Sequence, residues 1–272
     1  MRHHKRYFWL VLASALLLTL AASAASAGPN PVPKATGSIG MSGPLQYASF
    51  NAFDYGLTGD RGMVSYANFE YAAPGSGVWS VFGTWPITFV RGGSFLHSIT
   101  IDSVTPTSTT SSRFSGTGYY VPDPVGFPVE IHGVVKGSTI SFDMAYTGPA
   151  SVLVAHATGI IAADGSMSGT AYDDVDPTPL LWSVPAPAAH EVLSYTAAVT
   201  CAVWNSVSPT DFTFGFTIPA GFPGLSGLPI VVNVHDAGSP GTKGDTWAHG
   251  VSADCAGTTG NYPITSGNLV VH

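Results

Sequence analysis

The chain has 272 residues, and only 9% of them are charged, against about 25% in an ordinary soluble domain. Glycine (32) and proline (21) are abundant, aromatic residues reach 11%, and the formal net charge is −7. Few charges and many helix breakers exclude a helical bundle, a coiled coil and a charged disordered tail, while a hydrophobic content of 45% supplies one or two real cores.

In chain order, Met1-Arg2-His3-His4-Lys5-Arg6 precede an apolar stretch from Tyr7 to about Leu20, and Ala25-Ser26-Ala27 follow it. A basic start, a short apolar core and an A-x-A site predict a secretory signal peptide over 1–27, cut before Gly28. The competing reading is a retained anchor, for which the apolar core is short. The expectation is a secreted, extracellular protein with no membrane insertion after cleavage. Cleavage leaves six basic residues against sixteen acids, thirteen of them Asp and most at turns, where Asp bonds its own backbone. Such a surface offers no phosphate contacts, which excludes nucleic acid and disfavours anionic lipid.

A Pro-rich leader occupies 28–34. Strands are predicted at Gln46–Phe53 and Arg61–Tyr71, and Ala73-Pro74-Gly75-Ser76-Gly77 breaks the pattern. Eight strand-like runs follow: Val78–Val90, Leu96–Val104, Arg113–Val121, Val129–Lys136, Thr139–Thr147, Val152–Ile161, Met167–Asp173 and Leu180–Val184. Gly137-Ser138 and Asp164-Gly165 read as tight hairpin turns. Eight consecutive strands suit an up-and-down meander or a small closed barrel. After a second joint at Ser183–Ala188, further strands are expected at Leu193–Trp204, Phe212–Ile218, Pro229–Val234, Thr246–Val251 and Tyr262–Val271.

Two resemblances enter at this point. Val232-Asn233-Val234-His235-Asp236-Ala237-Gly238-Ser239-Pro240-Gly241, Gly244-Asp245-Thr246 and Thr265–His272 resemble the last strands of a family of uncharacterised secreted bacterial β-domains. That family's first strands look like Ala35-Thr36-Gly37-Ser38, Ala48–Ala52 and Gly62–Tyr66. The resemblance covers about half of the mature chain, split between its two ends, and implies no activity. It suggests a discontinuous, antiparallel sandwich-like host domain of 35–75 plus 188–272, with 76–187 inserted. Tandem modules of 35–187 and 188–272 are the alternative. The middle is similar in outline to lipocalin- and avidin-like barrels, and Gly77-Val78-Trp79 stands where lipocalin-like chains place a G-x-W.

Chemistry is sparse. A two-residue loop at Gly137-Ser138 sets His132 directly across from Asp143, on a face with Glu130, opposite a core face of Ile131, Val135, Ile140, Phe142 and Met144. Carrying the register through Asp164-Gly165 sets His156 opposite Asp173. A His–Asp pair can orient a general base, and it is equally a solvated cross-strand pair. No G-x-S-x-G singles out a nucleophile, so enzyme activity is uncertain and disfavoured. Asp236 and Asp245, with Asp254, flank a Gly-rich loop and are candidate calcium ligands; turn-capping explains them without metal. The loop Asp173-Asp174-Val175-Asp176 carries the same two readings. Trp79, Trp85 and Trp182 are candidate ligand-binding aromatics, with core packing as their alternative, as for Trp204 and Trp247. Cys201 and Cys255, the only cysteines, predict one disulfide. The functional expectation is a non-enzymatic extracellular binding or surface-associated protein for a glycan or a small apolar molecule. A secreted hydrolase and a purely structural protein are the alternatives.

Overall fold

Strict alternation builds the strands. Over Thr139–Tyr146, Ile140, Phe142 and Met144 are buried while Thr139, Ser141 and Asp143 are exposed, the period-2 pattern of a strand with one face in a core. The computed structural model describes residues 31–42, 45–56, 59–148, 154–238, 241–256 and 259–272; the expected signal peptide lies outside them. Among the described residues there are seventeen strands and no α-helix.

β1 (Lys34–Ser42), β2 (Leu45–Phe53) and β3 (Arg61–Ala72) come first, then the two-residue β4 (Trp79–Ser80). Eight strands follow as β5 (Gly83–Val90), β6 (Ser94–Ser108), β7 (Ser111–Tyr120), β8 (Pro128–Lys136), β9 (Thr139–Tyr146), β10 (Val154–Ile161), β11 (Met167–Asp173) and β12 (Leu180–Val184). The chain ends with β13 (His190–Trp204), β14 (Asp211–Thr217), β15 (Pro229–His235), β16 (Thr246–Val251) and β17 (Thr259–Val271).

These strands close into two antiparallel rings within the compact unit Pro33–His272. The second ring takes β5 to β12 in sequence and closes where Trp182 of β12 pairs with Phe89 of β5. The first ring runs β14-β15-β16-β17-β1-β2-β3-β13. The expected all-β fold with an eight-stranded barrel is therefore present, and the sandwich-like part is itself a closed ring. Its closure depends on the 15-residue β13, which pairs β3 through Val192–Ala198 and β14 through Val199–Trp204. Closure leaves neither ring a free edge.

The run Val78–Val90 is not one strand. β4 adds to β13, with Glu191 opposite Trp79, and only after Gly83, at φ 124°, does the chain enter the second ring. Glu191 ties this crossing together: its carboxylate accepts the Gly75 amide at 2.5 Å and the Gly77 amide at 2.9 Å. Turns at the near pole of the second ring pack on the first. Gly165 O accepts the amides of Ala188 and Ala189, and Ser194 Oγ donates to Thr109 O.

Each ring has its own core. Phe50, Phe214 and Trp247 pack together in the first, with Phe50 stacked on Phe214 at 5.0 Å. The lumen of the second is filled in its lower part by Trp85 against Phe114 and Phe142 against Trp182. Two inward positions must be glycine for this. A Cβ on Gly133 would lie 2.3 Å from the Phe114 ring, and one on Gly159 would lie 2.4 Å from Trp182. Trp79, Val81, Ala188 and Ala189 complete the same core from the first-ring side.

Candidate functional site

Above that plug the second ring leaves a space among its described residues. A cavity of about 480 Å³ occupies its far pole, lined by Phe89 and Arg91 of the β5 end, Phe95 and His97 of β6, Tyr120 and Phe127, Met144 and Tyr146 of β9, and Ala155, Asp173 and Leu180. These residues reach one place because each lies at the same end of its strand, and barrel mouths are common ligand sites.

The cavity has an aromatic collar. His97, Tyr120, Phe127 and Tyr146 contact one another in a closed circuit with centroid separations of 5.3, 6.1, 5.6 and 5.8 Å, and Phe89 meets His97 edge-on at 5.6 Å. The Tyr146 hydroxyl and His97 Nε2 share a hydrogen bond of 2.7 Å. His97 is only 2% exposed and its Nδ1 has no hydrogen-bond partner. Burial pushes its pKa down to about 4, against a smaller opposing effect from the Phe95 backbone, so the imidazole is neutral at physiological pH. Burial, with Tyr120 beside it, raises the pKa of the Tyr146 phenol.

One guanidinium orders the rim. Arg91 Nη2 donates to Asp173 Oδ2 at 2.6 Å, and Nη1 donates to the carbonyls of Asp176 and Thr178 at 3.1 and 3.0 Å. The Asp176 carboxylate is 3.5 Å from Nη1. Asp173, with a side chain 4% exposed, also accepts the amides of Val175 and Asp176. Its burial alone would raise its pKa; the Asp176 amide, Arg91 and the Val175 amide outweigh that and hold it low.

The Gly137-Ser138 register is as expected, with His132 opposite Asp143, but Asp143 is engaged by another residue. His156 of β10 lies on its other side, and Nδ1 meets Asp143 Oδ1 at 2.7 Å while Nε2 meets Asp174 Oδ1 at 3.2 Å. The hydrogen bond to Asp143 is the main cause of a raised His156 pKa. Both ring nitrogens are thus held by carboxylates on a side chain 57% exposed, which leaves neither to act as a base on a nucleophile. The cluster sits on the outer wall, above a shallow depression shared by Ser115 and His132.

His156 does not face Asp173; it faces Tyr172, and Asp173 pairs with Ala155. The correction is one residue. Ala162 N bonds to Ser166 O and Gly165 has φ 81°, so the turn is a three-residue loop with its last residue left-handed. A one-residue slip moves a side chain to the opposite face, which carries Asp173 from the outer wall into the mouth.

The remaining candidates lie away from the mouth cavity. Trp79, Trp85 and Trp182 are 5%, 0% and 2% exposed and line none of the mouth cavity; they cap and fill the lower lumen because their area is best buried there. Asp236 spends both oxygens on the amides of Gly238 and Val271, and Asp245 accepts the Ala237 amide while its Oδ2 is buried without a partner. Among the described residues no group of three His, Cys, Asp or Glu side chains is arranged to hold a metal. Asp254 accepts from Ser252 Oγ. Cys201 and Cys255 form the disulfide.

His97 and Arg91 escape sequence reasoning because their partners lie 49 and 82 residues away. One signal was present: His97 is in phase with Ile99 and Ile101, both buried, which marks an imidazole turned into the lumen. No family model, no curated protein and no solved structure matches the chain.

Proposed function

We propose that this is an extracellular, non-enzymatic binding protein that holds a small, largely apolar molecule in the mouth of its second ring. The observation that carries this reading is the cavity of about 480 Å³ bounded by an aromatic collar above a filled lumen. Its size lies within the range of about 300–1,000 Å³ usual for small-molecule sites. The signal-like N-terminus, the disulfide and the scarcity of ionisable groups support an exported protein without catalytic chemistry. A flat glycan platform is less favoured, since the tryptophans that would form it are buried.

The test uses the uncharged fluorophore N-phenyl-1-naphthylamine. Saturable enhancement at one site is expected, and Ala155→Trp, which fills the cavity from a buried lining position, abolishes it while the far-UV spectrum is unchanged. Absence of enhancement, or equal enhancement in Ala155→Trp, overturns the reading.

A further inference from the structure

Charge at the mouth narrows the ligand class, an inference that rests on the binding reading above. Asp173 at the end of β11 lines the cavity and Asp176 stands on the loop that follows, with Arg91 as the cation between them; Asp123 and Asp174 lie on loops at the same pole, Asp174 bonded to His156 on the outer wall. Arg91 is largely committed to the rim itself: three of its N–H groups serve Asp173 and two loop carbonyls, and the Asp176 carboxylate lies 3.5 Å from Nη1. Two carboxylates thus face one guanidinium, and the net negative charge they leave at the rim repels an anionic ligand. His97, neutral because it is buried, adds no positive charge inside.

The walls point the same way. Aromatic rings present negative faces, and a cation within about 6 Å of a ring centroid is attracted to them. Tyr120, Phe127, Tyr146 and Phe89 surround one space, while Asp176 at the rim is half-exposed. An apolar cation entering this space replaces its hydration with ring faces, keeps the long-range attraction of the rim, and needs no dedicated counter-ion in the lumen. We infer that the mouth of the second ring selects organic cations with an apolar or aromatic body over uncharged and anionic molecules of the same shape.

Three probes of one shape test this on the full protein by calorimetry: phenyltrimethylammonium, its uncharged isostere tert-butylbenzene, and benzenesulfonate. The cation is expected to bind at least tenfold more tightly than tert-butylbenzene, with no measurable binding of benzenesulfonate. Phe127→Leu and Tyr120→Leu, each checked by thermal melting, should narrow the cation-to-neutral ratio to about threefold or less. Asp176→Asn should weaken the cation two- to threefold and leave tert-butylbenzene unchanged. If tert-butylbenzene or benzenesulfonate binds as tightly as the cation, and Ala155→Trp still abolishes that binding, the mouth remains the site and the charge inference falls. If none of the three binds, the binding reading falls and this inference with it.

Discussion

Tyr146 and His97 hold each other at 2.7 Å across the lumen of the second ring, from strands separated by two others in the ring order. The bond links two walls of the ring just above the aromatic plug and gives the buried imidazole a polar anchor. The same burial contributes to how the protein responds to acid.

Burial lowers the His97 pKa from 6.5 to about 4. Between those values the unfolded chain binds the proton and the native state does not. The stability is therefore complete above about pH 6.5 and falls as the pH drops toward 4, by on the order of 3 kcal/mol. Urea midpoints measured from pH 7.5 to 4 should show this loss, and His97→Gln should make the curve shallower over that interval, the remaining slope including His190 and His249, whose pKa values burial also lowers. An equally steep curve in the variant would remove His97 as the cause.

Removing Arg91 strands Asp173. Arg91→Met deletes an ion pair with an almost buried carboxylate and two bonds to loop carbonyls, a loss of about 2–3 kcal/mol. Asp173→Asn in the same chain should recover part of it, since the uncompensated charge is then gone. A double-mutant cycle in urea reads the coupling, and additive single effects would contradict it.

The wall glycines are set by volume. In Gly159→Ala the new methyl would stand 2.4 Å from Trp182 and 2.3 Å from the Ser168 carbonyl, which costs about 1–3 kcal/mol by overpacking. Thr158→Ala, one residue away on the exposed face, should stay within about 0.5 kcal/mol. Thermal melting of the two variants separates them, and equal melting points would show that the wall yields.

The disulfide belongs to the first ring. Cys201 lies on β13, and Cys255 follows β16 at a sequence separation of 54, so the chain-entropy model assigns the cross-link about 4 kcal/mol. The double variant Cys201→Ala/Cys255→Ala should unfold at lower urea, yet bind N-phenyl-1-naphthylamine with unchanged affinity. Weakened binding would mean that the rings are not energetically separate.

How much of this was legible depended on distance along the chain. The alternation in Thr139–Tyr146 and the Gly137-Ser138 loop fix a correct register, because a two-residue turn admits one pairing. The two cysteines had no alternative partners. At Asp164-Gly165 the same dipeptide sits in a loop one residue longer, and there Gly165 also bonds to Ala188 and Ala189, more than twenty residues on. The mouth was hidden for a further reason. Phe89, His97, Tyr120 and Tyr146 read singly as ordinary strand residues, and only ring closure makes them neighbours.

The filled lower lumen has a kinetic consequence. With Trp85, Phe114, Phe142 and Trp182 filling one end, a ligand bound as proposed would enter and leave at the other, where Arg91 holds its loop. Loosening that loop lowers one barrier common to both directions. Exchange rates of the proposed ligand would then rise together, and its residence time would be adjustable at the rim with the aromatic walls left as they are.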